Sequence, residues 1–590
     1  MLADTLFTNA NIYNVFLKQW STLDVAVLAG KVLYTGNAEK ANISAKTIID
    51  CNNKPLIPGL IDIHLHIESS FCTPTTFAAA IITHGVTTVV SEPHEIANVF
   101  GLSGIEEMIR VSKGAVIDIF YGVPSSVPST NKKLESSGGI IGLKELEELI
   151  KNYPQIICLG EVMNYSSLIS EFSKIVTGEE DCKTLKLINF MKKYAQLSAI
   201  EGHCPSVRDL ELAKLLYLGI DSDHCLQNTE GMRQRFTNGM FVELQEKSVT
   251  PEIINYLQNN DVEGLYCFVT DDVPPDVLEE RGHLDYILRK AMKHGLSLEK
   301  AIIASSLAPA KRMGFRDRGT IAPGKIADFI LLKDLSPEFE IQSVYKNGVL
   351  YNSKTVDKTI YKFAPRFLNS LDLPLSLLSD EMYKLKVNPE ARGKTTVKCR
   401  IMRKNSKNTY TESVIRSLPV SNGAINWSNP KLDVNLIIVI DRYSGEAHTA
   451  QGLMDGVRLQ NGAFCTSHAH DHHNILLLGD NIKDMQTALN WVLEKEGGMC
   501  TVSSGNILAS VPLPVGGIIS EAPMEELSKD VQILQRELRN LGINHANPIM
   551  SLCTLTLPVS PELKITDKGL IDVRKSKILS LFVECLEKKK

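Results

Sequence analysis

From residue 59 to about residue 318 the chain alternates short apolar runs, rich in valine and isoleucine, with stretches of helical period. The runs are "LIDIHLH" (60–66), "VTTVVSE" (86–92), "VIDIFYGV" (116–123), "IICLGE" (156–161), "LSAIEGH" (197–203), "GIDSDH" (219–224), "MFVELQE" (240–246) and "LYCFVTD" (265–271). Between them, "GLKELEELIKNY" and "VRDLELAKLLYLG" place leucine at helical spacing, the second ending on a glycine stop. Strands that alternate with helices pair in parallel, and eight such units can close into an α/β (β/α)8 TIM-like barrel. The active site of that fold lies at the carboxyl ends of the strands.

The flanks read differently. "TLFTNANIYNVF" and "LDVAVLAGKVLYTGN" are short strands around a "GK" turn, and the same texture returns in "GTIAPGKIADFILLKD" and "IQSVYKNGVLY". One small β-sandwich domain, built from residues 1–58 and 319–365, is therefore expected on both sides of a 59–318 barrel. Residues 366–590 change texture again, with strands and turns in "KVNPEARGKTTVKCRIMRKNSKNTYTES" and "DVNLIIVIDRYSG". Amphipathic helices follow in "KDMQTALNWVLEKEGG" and "MEELSKDVQILQRELRNLG". That is the pattern of a C-terminal α+β domain, and the closing "ECLEKKK" reads as a solvated tail.

Composition narrows the function. At 590 residues the chain exceeds one core, and 44% hydrophobic with 22% charged residues is ordinary for a globular protein. Lys+Arg 63 against Asp+Glu 68, a net charge of -5, argues against a nucleic-acid partner. No apolar run reaches the ~18 residues that cross a bilayer, so no membrane partner is expected. The opening "MLADTLFTNANIYNVF" lacks a basic start followed by an apolar block, and a cytoplasmic location is expected. A homo-oligomer is the usual state of cytosolic enzymes of this size. The twelve cysteines are scattered without CxxC pairs and read as reduced packing thiols. Cys204 and Cys225 each follow a histidine of interest, but strand alternation should turn them to the opposite face.

The ends of the apolar runs carry the chemistry. His64 and His66 alternate on one face of the first strand, which by itself fits either an incidental pair or half of a metal site. The fourth run ends in Glu161, the fifth in His203, the sixth in His224 and the eighth in Asp271. Burying that many polar groups at a barrel mouth without partners would cost about 1–3 kcal/mol each. Mutual hydrogen bonding would offset the cost; so would divalent metal, which imidazole and carboxylate ligands suit as Mn²⁺, Fe²⁺ or Zn²⁺. The count favours two ions: His64, His66 and Asp271 on one, His203 and His224 on the other, Glu161 bridging. Two ions ~3.5–4 Å apart make a hydroxide at near-neutral pH.

"PGLIDIHLHIESS", "VTTVVSEPHEIANVFG", "GEVMN", "GHCP", "DHC", "TDD" and "RGTIAPGKIADFILL" together resemble the adenine deaminases of the amidohydrolase superfamily. The resemblance continues downstream in "SHAHDHHNILLLG", "VPLPVGGIIS" and "NPIMSLCTLTLPVSPELKITDKGLIDV". It implies a glutamate, here Glu161, where many relatives carry a carboxylated lysine, which disfavours the cyclic-amide hydrolases that depend on that lysine. The zinc deaminases with H-x-E followed by P-C-x-x-C are disfavoured too, since "PHEI" has no such partner. The resemblance implies two divalent ions, manganese or iron favoured, and a hydroxide attacking C6 of a free purine base. Ammonia leaves and hypoxanthine remains, a purine-salvage reaction. Asp271 would carry the proton from the hydroxide to the departing amine.

Glu95 and Glu92, beyond the second strand, could hydrogen-bond or protonate ring nitrogens, or be a solvated loop carboxylate and a partner for a ligand histidine. Glu68 and Ser69 could line the pocket or order their loop. In "SHAHDHHN", His470, Asp471, His473 and Asn474 match a similar family segment, and His468, His470, His472 and His473 could build a lid, a hydrogen-bonded turn or a further metal site. Cys225 stands where the family usually has glutamate, and Val273 and Pro274 where a basic residue follows "TDD". These departures keep open an N6-substituted adenine as substrate, another cyclic amide or amidine, or a metal-retaining module without turnover.

Overall fold

The computed structural model describes residues 1–193, 199–352, 361–371, 373, 378–387, 393 and 395–583. The first two residues of the fifth apolar run, parts of the 386–413 stretch and the "ECLEKKK" tail lie outside the described residues. The chain divides into two compact units: residues 1–93, 108–125 and 142–361, and residues 94–107, 126–141 and 362–590.

The first unit holds the barrel. Five strands, Leu60–Leu65, Val86–Ser91, Asp118–Val123, Ile156–Val162 and Ile200–Gly202, form one parallel sheet in chain order. Ser222–Asp223, Phe241–Leu244 and Tyr266–Phe268 form a second parallel sheet. Two contacts link the edges of the sheets. The Asp221 N–H donates to the Ile200 carbonyl at 3.3 Å, and Leu65 pairs in parallel with Asp271, whose N–H reaches the His64 carbonyl at 3.0 Å. The ring of eight strands is TIM-like. Its strands are buried on both faces, which is why they read as near-continuous apolar runs rather than alternating ones. Ile61, Ile63, Val90, Cys158, Phe241, Cys267 and Val269 fill the core between them.

The same unit contains an eight-stranded sheet made from both flanks of the barrel segment. Phe329–Leu332 runs antiparallel to Pro55–Pro58, with Phe329 opposite Pro58 and Leu331 opposite Leu56. Phe7, Phe329 and Tyr345 meet edge to face beneath it.

In the second unit, ten strands form one sheet whose pairs are antiparallel except for Thr396–Lys404 beside Thr449–Gly456. Helix Ile482–Glu494 starts at Asn481, whose side chain accepts the Asp484 N–H, and buries Met485, Ala488, Leu489 and Val492. The "SHAHDHHN" segment connects the antiparallel strands Ala463–Thr466 and Ile475–Gly479 and is buried throughout.

One buried ion pair positions the sixth strand end. Arg235, fully buried, donates to Asp223 Oδ2 at 2.6 Å and to the Cys204 carbonyl at 3.0 Å. Asp223 in turn accepts the Cys204 and Cys225 N–H groups at 3.0 and 3.1 Å, each directly after one of the two histidines that end these strands. Removing one member of such a pair strands the other in apolar surroundings. Arg235→Ala should therefore destabilise the unit by about 3–5 kcal/mol. A fall in the urea midpoint followed by tryptophan fluorescence and circular dichroism measures it, and an unchanged midpoint would refute it.

Candidate metal centre

The first barrel strand ends in His64 and His66, whose side chains leave the same face. The His66 Nδ1–H donates to the Glu92 carbonyl at 2.9 Å, which fixes the tautomer and frees Nε2. That Nε2 lies 3.5 Å from both Glu161 Oε1 and Asp271 Oδ1. His64 Nε2 is 3.8 Å from the same Asp271 oxygen and is buried with no hydrogen-bond partner. Glu161 Oε2 sits 3.0 Å from His203 Nδ1 and 3.2 Å from His224 Nε2. The His64 and His224 rings stack with centroids 3.9 Å apart. All six side chains expected at the strand ends thus converge on one spot, with Glu161 facing three of the histidines.

Asp271 follows the eighth strand with φ at +61°, a left-handed conformation that aspartate tolerates better than most residues and that turns its carboxylate toward His64 and His66. The Gln245 side chain donates to its second oxygen.

The electrostatics suit a cation. Burial alone would raise Glu161 and Asp271, yet the imidazoles around them outweigh it and hold both carboxyls below their ordinary range. Burial and the adjacent His224 push His64 down to about 3, leaving it neutral. Burial works against His224 as well, but Glu161 outweighs it and lifts it to about 9. Ionised carboxylates, a neutral imidazole with a partnerless nitrogen and a second imidazole fixed by a carbonyl form the donor set that a divalent ion takes.

The other residues singled out in the sequence fall as follows. Glu92 Oε2 accepts the Glu161 N–H at 2.9 Å, so this residue touches two of the six side-chain carriers, Glu161 and His66. A Cβ at Gly160 would collide with that carboxylate, which explains glycine before Glu161. Glu68 and Ser69 lie buried in the short helix Ile67–Ser70, and Ser69 Oγ donates to Asp272 at 2.5 Å. Glu95 belongs to the second unit, where its carboxylate faces His470 Nδ1 at 2.6 Å and pairs with His473. Asn474 donates to the Ser136 carbonyl at 3.0 Å, and His470 Nδ1 also lies 3.5 Å from Asp471.

Cys225 departs from the alternation argument. The sixth strand is only Ser222–Asp223, so strand geometry no longer governs residues 224 and 225, and the Cys225 thiol comes within 4.8 Å of ligand atoms of His203 and His224. Burial pushes that thiol well up.

Residues not anticipated from the sequence complete the surroundings. Glu243, on the seventh strand, approaches His64 Nδ1 at 3.6 Å. Burial and neighbouring Glu201 push its carboxyl well up, while Arg312, 2.7 Å from Glu201, helps hold the latter down at about 2 against burial. Asp62 accepts the His64 N–H at 3.2 Å and the Thr270 hydroxyl at 2.7 Å, tying the first strand to the eighth. The signal for both was present: a carboxylate inside an otherwise apolar run.

Since Glu92 orients Glu161, Glu92→Ala should weaken metal affinity by about 10–100-fold. Equilibrium competition with a chromophoric chelator measures this, and unchanged affinity would contradict the assignment.

Comparison with known proteins identifies the family. The amidohydrolase family model matches residues 56–201 and 198–351, and the adenine deaminase C-terminal domain model matches residues 408–577. An "Adenine deaminase 2" of Shouchella clausii is 44% identical over 588 residues, 99% of both chains. An adenine deaminase of Clostridium perfringens is 43% identical over 99% of this chain and all of its own, and one of Lactobacillus delbrueckii subsp. bulgaricus 38% identical over 99% of each. These matches define a hydrolase of the amidohydrolase class, and its His/Glu/Asp cluster could hold a divalent metal. Within that class, the chain belongs to the adenine deaminase family.

Proposed function

We propose that this protein hydrolyses the exocyclic C–N bond of adenine, giving hypoxanthine and ammonia. The observation that carries the reading is the position of Glu161, whose two oxygens face His66, His203 and His224 at 3.0–3.5 Å from three other strand ends. His64, His66, Glu161, His203, His224 and Asp271 would hold two divalent ions; these donors suit Mn²⁺, Fe²⁺ or Zn²⁺, and the family resemblance favours manganese or iron. Bound there, the ions would supply a water acidified toward neutral pH as the nucleophile.

The chain's own groups do the rest. Asp271, held ionised and oriented by Gln245, accepts a proton as attack proceeds and delivers it to the departing amine. Glu68 and Ser69, in the short helix just after the histidine pair, would contact the ring in this reading. Glu92 serves to orient Glu161 and His66, and Glu95, whose carboxylate faces imidazoles of its own unit, is assigned no contact with the ring. The same reading makes the protein a cytoplasmic, homo-oligomeric enzyme of purine salvage.

Val273 and Pro274, directly after the ligand Asp271 and its neighbour Asp272, favour one rival: the same hydrolysis on an N6-substituted adenine. Purified, manganese-loaded protein offered adenine, N6-methyladenine, guanine, cytosine and adenosine separates them. Ammonia from adenine at the highest kcat/KM supports the proposal, and methylamine from N6-methyladenine with no ammonia from adenine overturns it.

A further inference from the structure

A second group of metal-type donors stands in the second unit, built by helix His94–Phe100 and the buried connection between strands Ala463–Thr466 and Ile475–Gly479. Glu95 is fully buried, and its carboxylate faces three imidazoles: His94 at 3.4 Å, His470 at 2.6 Å, and His473. One ligand atom each from Glu95, His468 and His470 lie within 4.8 Å of one another. Ligands of one tetrahedral ion at ~2.0–2.2 Å per bond stand ~3.4 Å apart, so the three need draw together by no more than about 1.4 Å to share it.

The tautomers separate ligands from supports. His473 Nδ1 accepts the Ala469 N–H at 3.3 Å, so the proton of its neutral ring sits on Nε2 and points at Glu95. This donor orients the carboxylate, as partners of metal-binding carboxylates do. His470, only 4% exposed, brings Nδ1 to within 2.6 Å of Glu95 Oε1, a buried oxygen that itself accepts no hydrogen bond. A buried imidazole nitrogen and carboxylate oxygen that meet without hydrogen-bonding geometry are the pair a shared ion would join.

We infer that Glu95, His468 and His470 form a divalent transition-metal site of the two-histidine, one-carboxylate type, separate from the barrel cluster, with His473 orienting Glu95. Imidazole and carboxylate donors suit Zn²⁺, Co²⁺ or Fe²⁺, and three protein ligands leave a fourth position for solvent. The inference does not rest on the deaminase reading, and its tests need no turnover.

Full-length protein carrying His66→Ala and Glu161→Ala, stripped with a chelator and titrated with Co²⁺ alone, should still bind one equivalent tightly, with visible cobalt absorption. Adding His468→Ala and His470→Ala should remove that equivalent. Cobalt binding that is absent from the first variant, or that survives in the second, overturns the site. A wild-type crystal grown with Zn²⁺ makes the test independent of variant folding. Anomalous scattering at the zinc edge should place a peak at bonding distance from Glu95, His468 and His470, and no peak there at saturating zinc equally overturns it.

Discussion

Glu161→Ala is expected to abolish deamination, lowering kcat/KM by about 10⁴-fold or more, the scale seen when a unit of catalytic groups loses its central member. The reason is geometric. Its two oxygens face His66, His203 and His224 together, so their loss leaves three imidazoles without the anion they share. Burial favours neither the charged imidazoles nor a retained dication once that anion is gone. Metal analysis should accordingly show the barrel content falling with activity. A variant that keeps both its metal and more than a tenth of its turnover would contradict the assignment.

Asp271→Asn separates proton transfer from metal binding. The carboxamide keeps the shape and an oxygen that can face His64 and His66, so much of the metal should remain, whereas the group can no longer accept a proton. A general base contributes about 10²–10⁴-fold, and kcat should fall by that range with KM little changed. The expected accompaniment is a pH–rate profile that loses its acidic limb, because the group whose deprotonation creates the limb has been removed. The sign follows from the shift: the imidazoles beside Asp271 hold its carboxyl below the ordinary range, so the wild type stays ionised as pH falls. A variant with wild-type kcat would remove Asp271 from the chemistry.

Much of the barrel is legible in the chain because strands covered on both faces must be apolar along their length, and each run stops where its polar terminal residue begins. His64, His66, Glu161, His203, His224 and Asp271 could be picked out by position for that reason alone. Asp62 and Glu243 show in the sequence only as carboxylates out of place in apolar runs, with nothing to name their partners. Only the register between strands brings Glu243 to His64 and Asp62 to Thr270, across 208 residues in the latter case. Glu92 reads locally as a loop carboxylate, and its bond to the Glu161 N–H depends on how the second and fourth strand ends come together around the barrel.

The Glu95 cluster is the extreme case. His473 and Glu95 are 378 residues apart, so no local period connects them, and the second unit takes residues 94–107 and 126–141 from within the stretch that otherwise reads as barrel. Cys225 shows the opposite error of applying a rule too far, since alternation holds only while a strand lasts, and this one ends at Asp223.

The central claim is that the six convergent side chains hold the ions on which hydrolysis depends. The most direct test is to strip wild-type protein with a chelator, measure ammonia release from adenine, then restore Mn²⁺ while counting bound ions. The account predicts no release without metal and recovery in step with ions lost again by Glu161→Ala. Undiminished release from protein shown to be metal-free would contradict it.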